Sequence, residues 1–323
     1  MKKIIVYGVG ENYKKVKGYL ETKFVVIGYS DSIHSNETGY IEPQNIGKYD
    51  YDYICITSTK HFDEIKAKLA ELLGDDSGDR IISIYDILGD FRNEEVRDKW
   101  VIDHLSRLSS GKILLDAGAG EQKYEPYCRH LKYIAQDFGE YVPNDIMAGL
   151  QSNSWDYSGL NMQCDIIDMP LDNEAIDVIL CTEVFEHLKN PILALKEFSR
   201  VLKPGGTLIL TAPCSCLTHM APYFYYNGFS EYWYREHLYD NGFEIKEFVS
   251  NGSYFKYMSQ ELFRAANMAE RYCETKLAPE EQKALIDSIE IMMRLSKRDE
   301  GSDETLCFGK MLVAEKKKVQ KQL

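Results

Sequence analysis

The chain has 323 residues, of which 44% are hydrophobic and 28% charged, and its formal net charge is −13 at pH 7. This length is sufficient for two domains, and the composition is that of an ordinary globular protein. The acidic balance disfavours a general nucleic-acid binder, which needs a basic surface, and no apolar run approaches the ~20 residues that cross a bilayer, so we expect a small-molecule partner and no membrane span.

The first ten residues, MKKIIVYGVG, predict a strand and a turn rather than a leader. Their apolar run is too short for the core of a signal peptide and meets glycines at once, so a cytoplasmic location is expected. Eight cysteines are scattered along the chain. Cys214 and Cys216 alone are close together, with no second pair at zinc spacing, which predicts reduced thiols and no metal site.

Residues 1–90 predict a small Rossmann-like α/β domain, because short apolar runs alternate with helical patterns. Gly8 and Gly10 follow the first run and Asp31 ends the second, but Tyr13 stands where a full G-x-G-x-x-G fingerprint has its third glycine. These glycines either approach a nucleotide phosphate or only form the turn, and the incomplete fingerprint favours the turn. The segment resembles small Rossmann-like modules of bacterial surface-polysaccharide biosynthesis proteins.

The stretch KILLDAGAG, residues 112–120, predicts a buried parallel strand that runs into a tight turn. A charged helix in the region 91–110 is expected to link it to the first domain. Asp137 ends the next apolar run, and it follows Asp116 at the spacing at which a second acid reaches ribose hydroxyls in doubly wound folds. The region 138–161 follows as a long loop, and loops of that length are often functional.

Four motifs, in this order and at these spacings, resemble those of the class I S-adenosylmethionine-dependent methyltransferases, in their small-molecule, type 11-like branch. They are LLDAGAG at 114–120, YIAQD at 133–137, CDIIDMPLDNEAIDVILCTEVFEHL at 164–188 and VLKPGGTLILTAP at 201–213. The resemblance implies an α/β fold with a Rossmann-like seven-stranded sheet over residues 111–315. A helical insertion at about 254–298 and a basic tail at 316–323 complete the expected organisation.

The resemblance also implies a binding site for the cofactor S-adenosylmethionine at the strand ends. Asp116 would face its ammonium group, Asp137 would accept from both ribose hydroxyls, and Asp165 would accept from the adenine amino group. Cys181, Thr182 and Glu183 would lie beside the sulfonium. The full set of matching positions is Asp116, Ala117, Gly118, Gly120, Asp137, Phe138, Asp165, Ile166, Cys181, Thr182 and Glu183.

Two histidines are candidate general bases for a hydroxyl acceptor. His219 lies in the loop where acceptors bind in this family, and a base and a structural role are equally compatible with it. His187 follows Glu186 in a common family sequence, and a capping or packing role is favoured. Cys214 is read as a small loop residue rather than a nucleophile. The aromatic residues expected to line the acceptor pocket are Tyr223, Tyr226 and Trp233.

Three functional hypotheses follow from the sequence. The first is an O-methyltransferase that acts on a sugar or a nucleotide-activated intermediate of surface-polysaccharide synthesis. The second is a non-catalytic cofactor-binding or scaffold protein with a methyltransferase fold. The third and weakest is a nicotinamide-dependent dehydrogenase that uses the N-terminal domain. The sequence does not fix the oligomeric state, and a homodimer is compatible with it.

Overall fold

The computed structural model describes residues 1–33, 38–58, 61–143 and 155–318. The chain divides into two compact units: the first contains Met1–Arg92 and Phe255–Glu300, and the second contains Asn93–Tyr254 and continues from Gly301. Residues 144–154 of the expected long loop and 319–323 of the expected tail lie outside the described residues.

Eleven strands and eight helices are defined in the described ranges. The strands are β1 Lys3–Tyr7, β2 Val25–Ser30, β3 Tyr53–Ile56, β4 Ile81–Ser83, β5 Ile113–Ala117, β6 Lys132–Asp137, β7 Met162–Gln163, β8 Ile176–Thr182, β9 Leu202–Pro213, β10 Phe243–Asn251 and β11 Gly309–Lys316. The helices are α1 Glu11–Lys23, α2 Phe62–Leu73, α3 Ile84–Leu88, α4 Glu94–Ser106, α5 Pro191–Val201, α6 Glu231–Asp240, α7 Tyr254–Cys273 and α8 Pro279–Ser296. None of these helices combines the length and apolar character that crossing a membrane requires.

The first unit is built on a parallel sheet of strand order β2-β1-β3-β4. Side chains of a strand alternate between the two faces, and here both faces are apolar. Ile4 and Val6 of β1 pack in one cluster, while Ile5 and Tyr7 pack in another. Both faces of the sheet are therefore covered, as parallel sheets require.

Helix α8 belongs to the first unit, although it lies between β10 and β11 in the chain. The sequence places the helices of about 254–298 as an insertion in the second domain. In the structure Ile286, Ile289 and Met293 recur at helical spacing and are buried in the same cluster as Ile4 of β1. Lys23 of α1 adds an ion pair to Glu290, with 3.1 Å between Nζ and Oε1. The apolar face of α8 thus completes the core of the first unit.

The second unit contains a seven-stranded sheet of order β10-β11-β9-β8-β5-β6-β7. Its strands β5 to β9 are parallel, and β11 runs antiparallel between β9 and β10. The predicted α/β fold with a class I methyltransferase type of sheet, preceded by a smaller Rossmann-like unit, is confirmed.

Helix α4, which the sequence places in a linker at 91–110, forms part of the second unit. Its Val101 and Leu105 are fully buried in one cluster with Leu114 of β5 and Val178 of β8. The helix therefore covers one face of the seven-stranded sheet. As a result, its polar side chains are held close to the ends of the central strands.

The substitution Ile289→Ala should lower the free energy of unfolding by about 2–5 kcal/mol, because it leaves a cavity in the core of the first unit. Ile291→Ala is the matched control: the same change on the same helix removes a side chain that is 45% exposed, so its effect should stay within about 0.5 kcal/mol. Denaturant unfolding measures both values. Equal losses in the two variants would contradict the packing of α8.

Candidate functional site

The carboxyl ends of β5, β6, β8 and β9 meet at one edge of the second sheet, because the four strands are parallel. Ligands bind at this edge in open α/β sheets. Asp116 is the penultimate residue of β5, Asp137 ends β6, and Glu183 follows β8 directly. The chain thus places three acidic residues around one crevice.

The turn after β5 depends on glycine for two separate reasons. Gly118 and Gly120 have φ angles of +80° and +50°, in the left-handed region that side chains disfavour. A Cβ added at Gly118 would lie 2.4 Å from Cγ2 of Val184, and one at Gly120 would lie 2.7 Å from the ring of Trp155. Val184 therefore packs against Gly118 and Trp155 packs against Gly120, so neighbouring side chains of the protein fill the space around the turn.

Asp137 fixes this turn through its carboxylate. Its Oδ2 accepts the backbone N–H of Gly120 at 3.0 Å, and its Oδ1 accepts that of Gly139 at 2.9 Å. Asp137 is only 4% exposed, and burial raises the pKa of its carboxyl, while the backbone donors oppose that shift. A carboxylate offers about four acceptor positions, so capacity for two further donors, such as a pair of ribose hydroxyls, is left.

Asp116 is a buried acid held by a tyrosine. Its Oδ2 accepts the hydroxyl of Tyr133 at 2.6 Å, and the residue is 2% exposed. Burial raises the pKa of Asp116 to about 7; the Tyr133 bond lowers this pKa, and the charge of Asp137 adds to the rise. An arriving cation would stabilise the charged form, which suits the expected contact with an ammonium group.

Asp165, which is expected on the adenine side, differs in exposure from the two buried acids Asp116 and Asp137. Asp165 is exposed, and its Oδ1 accepts the backbone N–H of Ile167 at 3.2 Å in a tight turn. Ile166 is 5% exposed and packs in the main core, as does the fully buried Ala117. The carboxylate of Asp165 therefore faces solvent, within reach of a ligand on that side.

Glu183 lies just past β8 in a left-handed conformation, with φ +54°. Its Oε1 accepts the hydroxyl of Thr211 at 2.9 Å, and its Oε2 pairs with Arg97 of α4 at 3.2 Å. The adjacent Cys181 is fully buried in the core, and burial raises the pKa of its thiol well above the usual range. Thr182 completes the strand end at intermediate exposure.

Arg97 is a crevice residue that the sequence alone does not reveal. It lies on α4 in the region read as a linker, and its side chain is 14% exposed. It pairs with Asp98 as well as with Glu183. An ion pair between residues so distant in sequence leaves no local pattern. The signal in the sequence is the apolar face of α4, which indicates that the helix packs on a sheet but not on which one.

The two candidate bases lie together beside a third residue, Glu186. His187 Nε2 lies 3.8 Å and His219 Nε2 lies 3.9 Å from Oε1 of Glu186, and the two imidazole centres are 4.7 Å apart. Burial lowers the pKa of His187 to about 4, with His219 as a second cause. Burial also raises the pKa of Glu186 well above its usual range, with Glu183 adding to the effect. His187 is therefore neutral at pH 7.

The three expected pocket aromatics occupy two different environments. The ring of Tyr223 meets that of Phe138 edge-on, with 5.0 Å between centroids, so the loop after β9 touches the residue next to Asp137. Tyr226 and Trp233 instead pack around Phe229, at 5.3 and 4.7 Å. Of these three aromatic residues, Tyr223 therefore lies on the side of Asp137, and the other two mainly extend the core.

Cys214 lies at the start of the loop after β9. A hydrogen bond from the thiol of Cys307 is the main cause that lowers the pKa of Cys214 to about 6. All eight cysteines are in the described part of the chain and are free thiols, in agreement with the sequence. Cys214 is partly buried, and its backbone N–H donates to Phe308 O at 2.9 Å. The backbone bond fits the loop role favoured by the sequence.

Comparison with known families gives one match within each unit. Residues 115–210 match the family described as a methyltransferase domain, and residues 1–82 match the family described as C2185-like, N-terminal. The first match includes β5, β6 and β8, which carry the crevice acids. It supports a class I S-adenosylmethionine-dependent methyltransferase and S-adenosylmethionine as the cofactor.

Individual relatives match part of the chain. An uncharacterized methyltransferase-like protein of Schizosaccharomyces pombe is 30% identical over 119 residues, which is 35% of this chain and 40% of that protein. The tRNA (carboxymethyluridine(34)-5-O)-methyltransferase of Arabidopsis thaliana is 28% identical over 136 residues, 40% of this chain and 31% of that protein. This chain therefore spans less than half the length of these curated relatives.

Solved structures give a looser match. The geranyl diphosphate C-methyltransferase of Streptomyces coelicolor A3(2) aligns with a TM-score of 0.42 and 15% identity, over 80% of this chain and 85% of that one.

Gly118→Ala should lower the free energy of unfolding by about 2–5 kcal/mol, because it combines left-handed strain with a clash against Val184. Gly111→Ala is the matched control: its φ of +81° is the same, but no described atom lies within 4 Å of the added Cβ, so only about 1–2 kcal/mol should be lost. Thermal or denaturant unfolding measures the difference. A control as damaging as Gly118→Ala would show that Val184 does not confine the turn.

The affinity for S-adenosylhomocysteine should rise with pH between about 6 and 8, because the carboxyl of Asp116 has a pKa of about 7 and attracts the ligand's ammonium only when deprotonated. Below that pKa, affinity should fall by up to about tenfold per pH unit. Calorimetry at a series of pH values gives the slope. Asp116→Asn removes this titration while the ligand's own amino group still titrates, so an unchanged slope in that variant would rule out Asp116 as the source.

Proposed function

We propose that this chain, whose residues 115–210 match a methyltransferase domain, transfers a methyl group from S-adenosylmethionine to the oxygen of a small-molecule acceptor. The observation that carries the proposal is the pair of buried acids, Asp116 and Asp137, on either side of the glycine turn. Two acids this deeply buried are unfavourable without a ligand or a strong internal partner. A bound cofactor would supply such a ligand to each of them.

Three acidic residues at the crevice would bind different parts of the cofactor. Asp137 accepts from the ribose hydroxyls while it holds Gly120, and Asp116 receives the ammonium group. Asp165 is available to the adenine amino group. When bound, the cofactor supplies a methyl group on a positively charged sulfur, which is the difficult part of the chemistry. The protein's contribution is then mainly to align the acceptor and to exclude water.

Glu183 orients the far side of the crevice. Because Arg97 and Thr211 hold its two oxygens, its carboxylate has a fixed position beside the sulfonium expected past β8. A fixed negative charge near a sulfonium favours binding of the charged cofactor over the neutral product. This gives Arg97 a positioning role that acts through Glu183.

The acceptor binds on the side of the loop after β9, next to Tyr223 and His219. We assign to it a sugar or a nucleotide-linked small molecule of surface-polysaccharide synthesis, on the basis of the aromatic lining and of the resemblance of residues 1–90. The Arabidopsis relative is named for a tRNA substrate. The net charge of −13 disfavours a polyanionic acceptor for this chain. The proposed assembly is a homodimer.

In the N-terminal unit, Gly8 and Asp31 both bond within the turn after β1. Oδ2 of Asp31 accepts the backbone N–H of Val9 at 2.9 Å, and the hydroxyl of Thr57 donates to Gly8 O at 2.6 Å. Asp137 makes the corresponding bond in the second unit, so these bonds alone do not separate a turn from a nucleotide site. The nicotinamide-dependent dehydrogenase is disfavoured by Tyr13, which stands where the full fingerprint has its third glycine. A scaffold without cofactor binding remains the second candidate.

Asp137→Ala should weaken binding of S-adenosylhomocysteine by at least about 100-fold, because hydrogen bonds to a charged group contribute about 1.5–3 kcal/mol each. Asp86→Ala is the control: Asp86 is an exposed acid of the first unit whose carboxylate also accepts a backbone N–H, from Ser83 at 2.7 Å. Calorimetry measures the affinities, and methyl transfer to a panel of sugars and nucleotide sugars is followed by mass spectrometry.

Binding of wild-type strength in Asp137→Ala would refute the site. Failure of the wild-type protein to bind S-adenosylmethionine or S-adenosylhomocysteine at all would favour the scaffold. Titration with NAD addresses the dehydrogenase separately.

A further inference from the structure

A cluster of three potential metal ligands, Glu186, His187 and His219, lies beside the proposed acceptor site. Their ligand atoms all lie within 4.8 Å of one another. Glu186 and His187 come from the short 3-10 turn Phe185–His187 after β8, and His219 comes from the loop after β9. Two neighbouring strand ends of one sheet therefore bring these side chains together.

Both imidazoles are oriented by a backbone carbonyl on their far nitrogen. Nδ1 of His187 lies 2.5 Å from the carbonyl oxygen of Tyr223, and Nδ1 of His219 lies 2.9 Å from that of Leu217. A carbonyl only accepts, so each Nδ1 carries the proton and each Nε2 presents a lone pair. This is the arrangement that metal-binding histidines adopt in proteins.

The two lone pairs point toward one carboxylate without bonding to it. The distances from Nε2 to Oε1 of Glu186 are 3.8 Å for His187 and 3.9 Å for His219, too long for hydrogen bonds. Ligands of a tetrahedral ion with bonds of about 2.1 Å lie about 3.4 Å apart. The two Nε2–Oε1 distances exceed this value by about 0.4–0.5 Å, and all three ligand atoms lie within 4.8 Å of one another, so modest side-chain rotations would bring the three groups onto a common ion.

Glu186 supplies a second, independent observation. The residue is 1% exposed, and its Oε2 has no hydrogen-bond partner in the part of the chain that the structure describes. A buried carboxylate oxygen without a partner is expensive, and in native proteins a bound ion or an ordered water commonly satisfies such a group. A cation held between Glu186 and the two imidazoles would satisfy it.

We propose that Glu186, His187 and His219 bind a divalent first-row transition-metal ion of the zinc type. Two imidazoles and one carboxylate are the donor set of catalytic zinc sites and of related first-row metals, whereas Mg²⁺ prefers oxygen ligands. The side chain of His219 is 28% exposed, so the cluster opens to solvent on one side. Three protein ligands there leave a coordination position for a substrate. The sequence alone, read by cysteine spacing, predicts no such site.

The site has a consequence for the acceptor, which rests on the proposed function. A hydroxyl that coordinates the ion loses its proton to water more readily. Its oxygen then forms the new bond to the methyl carbon, while the electron pair of the broken carbon–sulfur bond stays on sulfur and leaves a neutral thioether. His187 and His219 would then hold the ion, and neither would act as the general base. The acceptor class is accordingly a hydroxyl compound that can reach a metal.

The test uses the untagged full-length chain after removal of metals with a chelator. We expect calorimetric titration with Zn²⁺ to show about one site, and Co²⁺ to give the visible absorption of a low-coordinate nitrogen and oxygen site. Glu186→Gln and His219→Ala should each weaken Zn²⁺ binding by more than the about 10–100-fold that loss of a supporting outer group causes. His61→Ala is the control, because it removes an exposed imidazole from the other unit.

S-adenosylhomocysteine binding reports folding and cofactor binding in every variant. A His219→Ala protein that keeps this affinity and loses Zn²⁺ supports the proposal. Wild-type protein that binds S-adenosylhomocysteine but neither Zn²⁺ nor Co²⁺ overturns the metal site and leaves the methyltransferase proposal intact. Zn²⁺ binding that survives both substitutions, or binding of Mg²⁺ alone, also overturns it. Wild-type protein that does not bind S-adenosylhomocysteine would instead refute the proposed function.

Discussion

The second unit depends on one interaction: the carboxylate of Asp137 holds the backbone N–H of Gly120 in the neighbouring turn. Because Asp137 ends β6 and Gly120 follows β5, the bond extends the pairing of these two strands into the turn beyond them. It sets the path of the turn against Val184 and Trp155, and so the width of the crevice. The same carboxylate keeps acceptor capacity beyond its two backbone bonds, so one group fixes the turn and stays available to further donors.

The first unit contains a corresponding hydrogen bond between an acid after a strand and the neighbouring turn. Asp31 follows β2 and its carboxylate accepts the N–H of Val9, in the turn after β1. In both units the first glycine of the turn also donates to the residue before the acid, Gly8 to Ser30 and Gly118 to Gln136, each at 2.9 Å. The two turns differ in what surrounds them: the second unit adds a buried acid inside its first strand, Asp116, where the first unit has apolar residues.

Local features of the site were readable from the sequence, and contacts between distant segments were not. Asp116 and Asp137 follow apolar runs, so their places at strand ends could be predicted along with the sheet. Arg97 pairs with Glu183 only because α4 covers the sheet, and no local pattern specifies that. The apolar face of α8 was equally visible, but an amphipathic helix does not state which sheet it covers. His187 and His219 can each be identified in the sequence as a candidate base, but their proximity depends on the strand order, which the sequence does not state.

The placement of α7 and α8 before β11 has a consequence for the order in which the two units can fold during synthesis. β9 and β10 pair with β11 and not with each other, so both lack a partner on that side until residues 309–316 have left the ribosome. During that interval the helices of 254–296 emerge and can complete the core of the first unit. The N-terminal unit is thus able to finish folding first, while the seven-stranded sheet still has open edges that must be kept from pairing with other strands.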